Sequence, residues 1–159
     1  MNKAVLIECI LAQLHIDLAK QTAAAHLARD EAISEESRAE SKYDTHSQEA
    51  AYLAEAQARL ASEIQDSIGF YRGFQLPVFA VGDPIAVGAL VELANPGPSD
   101  WFLIGPRGGG LELSTGGHNV LVLTPASPIG RLLLGKREGQ SISVANGRNT
   151  IHREIKTVR

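Results

Sequence analysis

The sequence predicts an α+β protein: an N-terminal antiparallel helical hairpin, packed as a coiled coil, followed by a small antiparallel β domain with one short helix. Three observations predict it. All 15 glycines and all 7 prolines lie after residue 68, so the first part lacks turn formers and is rich in Ala, Leu, Glu and Gln, which favour helix. Two stretches of that part carry apolar residues at alternating spacings of three and four. Beyond it, apolar residues come in short runs separated by Gly and Pro, the pattern of strands and tight turns. The division gives a helical hairpin over residues 1–73, with an acidic tip near 34–45, and a second domain over residues 74–159.

The first helical stripe is Ile7, Leu11, Leu14, Leu18, Gln21, Ala25, Ala28 and Ala32. The second is Ala50, Leu53, Gln57, Leu60, Ile64, Ser67 and Tyr71. Both are coiled-coil seams. Large residues mark the Leu11–Leu18 end of the first and the Leu60–Tyr71 end of the second, and small alanines sit where the two segments meet, so a folded-back hairpin would be thick at its base and thin near its tip. Ser34, Ser37, Ser41, Asp44 and Thr45 supply the helix-stopping signals between them, and Thr45 with Gln48 fits a capping box at the start of the second helix. Each arm is about 30 residues, or on the order of 45 Å. The residues alone leave two other arrangements open: one long helix paired with a partner, and an ordinary hairpin with a solvated charged loop.

In the second part, IAVGALVELA, WFLIGP, LELSTGG and NVLVLTP read as strands, with Trp101 and Phe102 packed inside. Ser127 is a plausible N-cap and Pro128 suits the first helical position. Arg131 to Leu134 form one or two turns that Gly135 ends in a left-handed conformation. SISV and NTIHREIKTV form a closing hairpin around Asn146-Gly147. Arg107, Gly108, Gly109 and Gly110 read as a hairpin loop rather than a phosphate cradle, since no Lys-Ser/Thr and no helix follow.

Charge is unevenly placed. Residues 1–73 hold 12 acids and 7 bases, and residues 30–49 alone hold 7 acids and 2 bases. Such a patch repels nucleic acid and favours a cation or a basic surface. No apolar run reaches the roughly 18 residues of a membrane span. Glu8 interrupts the apolar start, which reads as a helix of the mature protein rather than a signal peptide. Cys9 is the single cysteine, so no intramolecular disulfide is possible, and a cytoplasmic location is expected. His15, His26, His46, His118 and His152 show no metal-ligand spacing.

The segment SPIGRLLLGKREGQSISV resembles the C-terminal signature of the Gre family of bacterial transcription factors, at Ser127, Pro128, Gly130, Arg131, Leu133, Leu134, Gly135, Lys136 and Gly139. The layout of a helical hairpin followed by a β domain, in about 160 residues, agrees with it. The resemblance implies an FKBP-like second domain that docks at the rim of the RNA polymerase secondary channel, through Ser127, Pro128, Gly130, Arg131, Leu134, Gly135 and Lys136. It implies that the hairpin enters the channel and brings tip acids close to the RNA 3′ end, where the polymerase itself cuts backtracked RNA. The chain would then be no enzyme and bind no cofactor of its own. It would act on the polymerase's Mg²⁺, because an added carboxylate can hold that ion and orient the attacking water.

The tip acids implied are Asp44, Glu40, Glu36 and Glu49. Standard cleavage factors carry an Asp followed three residues later by a Glu. Asp44 matches the Asp, but Ser47 stands in place of the Glu. Two outcomes stay open: stimulation of cleavage through Asp44 with Glu40, or channel occupancy that inhibits without cutting. An FKBP-like domain also raises peptidyl-prolyl isomerase activity, against which stands the scarcity of aromatics in residues 74–159: Phe74, Phe79, Trp101 and Phe102. A structural adaptor whose coiled coil binds another helix is a third class. The hairpin reading predicts a monomer.

Overall fold

The structure, a computed structural model, describes residues 3–36, 46–147 and 149–159, and for residues 35, 36, 46, 47 and 146 the backbone alone. In chain order the elements are α1 (Lys3–Glu36), α2 (His46–Gly73), β1 (Leu90–Leu93), β2 (Asp100–Ile104), β3 (Glu112–Thr115), β4 (His118–Leu123), α3 (Pro128–Leu133), β5 (Ser141–Asn146) and β6 (Asn149–Val158). They form two compact units. One is Leu11–Gly73. The other joins the start of α1, through Ile10, to Phe74–Arg159.

In the helical unit, α1 and α2 share one groove, lined by Leu18, Thr22, Ala25, His26 and Arg29 on one side and by Ala54, Ala58, Ala61, Ser62 and Gln65 on the other. The chain between Glu36 and His46 spans at most about 35 Å, less than the roughly 50 Å of the 34-residue α1. The helices therefore run antiparallel. The α1 stripe from Leu11 to Ala32 is buried or half-buried throughout, as its spacing predicts. The α2 stripe differs from the expected one. Leu53 and Leu60 are 51% and 40% exposed, and the covered positions are Ala50, Ala54, Ala56, Gln57, Ala61, Ile64, Ser67, Ile68 and Tyr71. Both patterns share five positions, Ala50, Gln57, Ile64, Ser67 and Tyr71. The covered stripe adds Ala54 and Ala61, which line the groove that α2 shares with α1.

Gln21 and Gln57 sit in these covered stripes, and the Oε1 atom of each is buried without a hydrogen-bond partner. An unsatisfied buried acceptor costs about 1–3 kcal/mol. Polar seam residues of this kind are tolerated where they fix how two helices pair.

The second unit is a six-stranded sheet in the order β3-β4-β2-β1-β6-β5. Four neighbouring pairs are antiparallel. The expectation of a wholly antiparallel sheet fails at one place, where β2 and β4 pair in parallel, Trp101 beside Val120 through Ile104 beside Leu123. The Gly-rich segment 107–110 is accordingly no hairpin loop. It carries the chain from β2 past β4 to β3, with Gly108 and Gly110 at φ +70° and +93° and Gly110 N–H donating to Val122 O at 2.8 Å. The strand expected over 85–94 is confined to Leu90–Leu93. Gly88 bends the chain at φ +92°, where an added Cβ would lie 2.3 Å from Pro77 Cδ.

One sheet face and α3 enclose a core that includes Val91, Leu93, Phe102, Ile104, Leu123, Leu133, Ile142, Ile155 and Val158. Ile155 and Val158 are three apart, yet both reach this core. A register shift opposite Glu92 and Leu93 inserts Lys156 as an extra residue and restores the inward direction at Val158. The other sheet face carries Leu90, Trp101, Leu103, Val120 and Val122, also buried. Leu6 and Ile10, the fully buried residues of the first turns of α1, fall in this same unit. So does Lys3, whose Nζ donates to Pro77 O at 2.7 Å and Gly88 O at 3.1 Å and lies 4.7 Å from the centre of the Phe79 ring. Burial pushes the Lys3 pKa down. Its charged form is thus the disfavoured one in the folded state, and its contribution to stability rises with pH towards the ordinary lysine range.

Replacing Gln21 and Gln57 together by Leu is expected to raise the unfolding free energy by about 1–3 kcal/mol, seen as a higher urea midpoint at unchanged m value. A lower midpoint would show that the two amides hold the helix pairing together.

Candidate functional site

Two regions were singled out by sequence, the α3 signature and the acidic segment between the helices. The first begins at Thr124. Ser127 takes φ −66° and ψ 152° and caps α3, its Oγ accepting from Gly130 N–H at 3.1 Å and donating to Thr124 O at 2.7 Å. Pro128 follows at the first helical position, where its missing N–H costs nothing. Gly130 is buried. A Cβ built there would stand 2.1 Å from Thr124 O and 2.6 Å from Ser127 Oγ, so no side chain fits. Leu133 is fully buried in the core. Leu134 ends the helix with its N–H on Gly130 O at 3.0 Å, and Gly135 turns the chain at φ +76°.

Beyond α3 the chain is tied to its surroundings by backbone bonds. Gly135 N–H donates to Ile85 O at 2.8 Å, and Ile85 N–H donates to Lys136 O at 2.7 Å. Gly139 N–H donates to Ile155 O, and Ile155 N–H donates to Gln140 O, both at 2.8 Å. Of the docking residues implied by the resemblance, Ser127, Pro128, Gly130, Leu134 and Gly135 thus build the turn. Arg131 and Lys136 are the side chains left to meet another molecule. Arg131 is exposed and spends only its Nε, on Ala126 O at 2.9 Å. With Arg131 and Lys136, Arg137 makes the basic cluster that the sequence sets beside this short helix. Its guanidinium donates to Gly82 O, and its backbone N–H is held by Gln140 Oε1 at 2.9 Å.

Of the tip acids, Asp44 and Glu40 lie outside the described residues, as does Thr45 of the expected capping box. Glu36 is the last residue of α1. Glu49 is exposed in the first turn of α2, where the positive end of the helix dipole favours a carboxylate. Among the described residues no three His, Cys, Asp or Glu side chains come together in a way that would hold a metal ion.

A cleft of about 460 Å³ opens on the α3 side of the sheet, lined by Asp100, Phe102, Glu112, Asn119, Leu121, Ile129 and Arg153 among others. Arg153 and Asp100 form an ion pair at 2.6 Å. The same guanidinium donates to Ala94 O at 2.9 Å, which ties β6 to the end of β1. The cleft's polar wall is therefore largely committed to holding strands together.

No protein-family model and no curated protein matches the sequence. Solved structures do. The chain is similar to Gfh1. The transcription factor Gfh1 is 19% identical, with 94% of this chain and 93% of that one covered and a TM-score of 0.41. GreA factor homolog 1 (Gfh1) of Thermus thermophilus gives 19%, 94% of each chain and 0.40. Gfh1 of Thermus aquaticus gives 19%, 95% and 92%, and 0.39.

The cap and the close approach at α3 separate in mutants. Ser127→Ala is expected to cost about 1 kcal/mol. Gly130→Ala, which forces backbone to move, should cost at least about 2 kcal/mol. Thermal unfolding of the two variants should therefore rank Gly130→Ala well below Ser127→Ala. The reverse order would contradict the close contact with Thr124.

Proposed function

We infer that the chain is a factor that binds bacterial RNA polymerase and inserts the acidic end of its helical hairpin into the secondary channel. The observation that carries this reading is the antiparallel pairing of α1 and α2. It makes the segment that holds Glu40 and Asp44 the link between two long helices, with Glu36 at the end of one and Glu49 at the start of the other. The Gre-like signature supports it from the other unit, since its Ser127, Pro128, Gly130 and Gly135 fall where a capped short helix with a closely packed start requires them.

The chemistry follows from charge. RNA hydrolysis at the polymerase active site needs a water directed at the phosphorus and a second Mg²⁺ that the polymerase holds weakly. Mg²⁺ keeps several waters and needs only one or two carboxylates from its protein partner. Asp44, with Glu40 as its neighbour, would lend that carboxylate and accept a hydrogen bond from the attacking water. The bond broken is the phosphodiester of the backtracked RNA, and the groups that break it belong to the polymerase. Ser47 in place of a second acid favours a second reading, in which the hairpin occupies the channel and slows elongation without cutting.

Stalled, backtracked elongation complexes distinguish the two. Under the first reading the chain shortens RNA from its 3′ end, Asp44→Asn abolishes the effect and Glu40→Gln weakens it. Under the second no RNA is cut and elongation slows. Wild-type protein that neither cuts nor slows, and that fails to bind core polymerase at micromolar concentration in low salt, overturns both.

A further inference from the structure

The linker after α2 packs Phe79 against the core but turns two valines outward. Val78 and Val81 are 94% and 97% exposed, yet the loop that carries them is pinned at several points. Lys3 Nζ holds Pro77 O and packs over Phe79. Ala80 N–H donates to Asp83 Oδ2 at 2.7 Å, and Asp83 N–H donates back to Ala80 O at 3.1 Å. Gly82 takes φ +88° as the third residue of that turn, the position where a type II turn requires glycine. Its carbonyl accepts from the Arg137 guanidinium. The fixed backbone thus holds two isopropyl groups in water, where burial in a partner would gain about 25 cal/mol per Å².

The same loop adjoins a basic surface. Ile85 is bonded twice to the chain leaving α3, at Gly135 and Lys136, and Arg137 reaches Gly82. Arg131, Lys136 and Arg137 make no ion pair among the described residues. The nearby acids Asp83 and Glu138 direct a carboxylate oxygen to backbone N–H groups of Ala80 and Val158. α3 adds Leu132, which is 39% exposed.

We propose that Val78 and Val81, with Lys136 and Arg137 beside them, form a docking surface for a protein partner that presents carboxylates around an apolar patch. The exposed apolar centre with a basic border fits such a surface. It fits nucleic acid less well, because valines offer a phosphate backbone nothing. This rests on the reading above, in which the partner is RNA polymerase. It adds the 78–82 turn to the contact, a segment outside the α3 signature.

The test is binding of the full chain to core polymerase at two salt concentrations. Val78→Ser/Val81→Ser is expected to weaken binding at least ten-fold at both, with an unchanged thermal midpoint, because neither side chain is buried. Lys136→Glu should weaken it more at low salt than at high salt. Wild-type binding that the double variant retains overturns the surface and leaves the polymerase reading standing. Wild-type protein that does not bind removes the reading, and this surface's partner with it. Binding to duplex DNA that Lys136→Glu weakens and the valine changes leave alone would overturn a protein partner.

Discussion

The antiparallel pairing of two long helices is the constraint on which the helical unit depends. Long antiparallel helices stay paired only if the side chains between them are small or interlock. Here Ala25, Ala28, Ala50, Ala54 and Ala61 supply the small ones. Alanine adds little buried area per residue, so the pairing gains less from hydrophobic burial than leucine would give. Gln21 and Gln57 lie in the same stripes and spend some of that stability on polar atoms without partners.

The sheet unit has a different logic. Its α3 corner is assembled from backbone hydrogen bonds and from one forbidden volume, the space at Gly130 that Thr124 O occupies. The residues that look like a recognition motif in the sequence are largely those that make this corner possible. The side chains left over are basic and border a loop with two exposed valines. Lys136 belongs to both sets, as a signature residue whose carbonyl holds Ile85 and as part of the basic border of that loop.

Much of this was legible beforehand. The absence of Gly and Pro before residue 69 marked the helices, and the α1 stripe was read in its correct register. For α2, two stripes share Ala50, Gln57, Ile64, Ser67 and Tyr71, and the leucines at 53 and 60 outweigh the alanines at 54 and 61. Hydrophobicity alone cannot make that choice, because it depends on which face of α2 meets the other helix. Ser127 and Pro128 announced a helix start by local chemistry. Gly130 and Gly88 did not announce their roles, since each answers to an atom outside its own turn, Thr124 O in one case and Pro77 Cδ in the other. The parallel pairing of β2 with β4 was equally hidden, as nothing within either strand distinguishes it. The candidate acids were visible as composition, whereas the outward valines were invisible until the pins that fix their loop were known.

The order of strands also sets a timetable for folding. β1 pairs with β6 across some sixty residues, Val91 beside Val158, and β2 meets β4 only after the chain has travelled out to β3 and back. Contacts so distant along the chain are slow to form, because the entropy of closing the loop is lost before any contact rewards it. The helices need only local closure and can form in microseconds. Newly made chains should therefore pass through a stage with paired helices and an open sheet, its β2 and β1 edges bare, and that is the stage most exposed to aggregation.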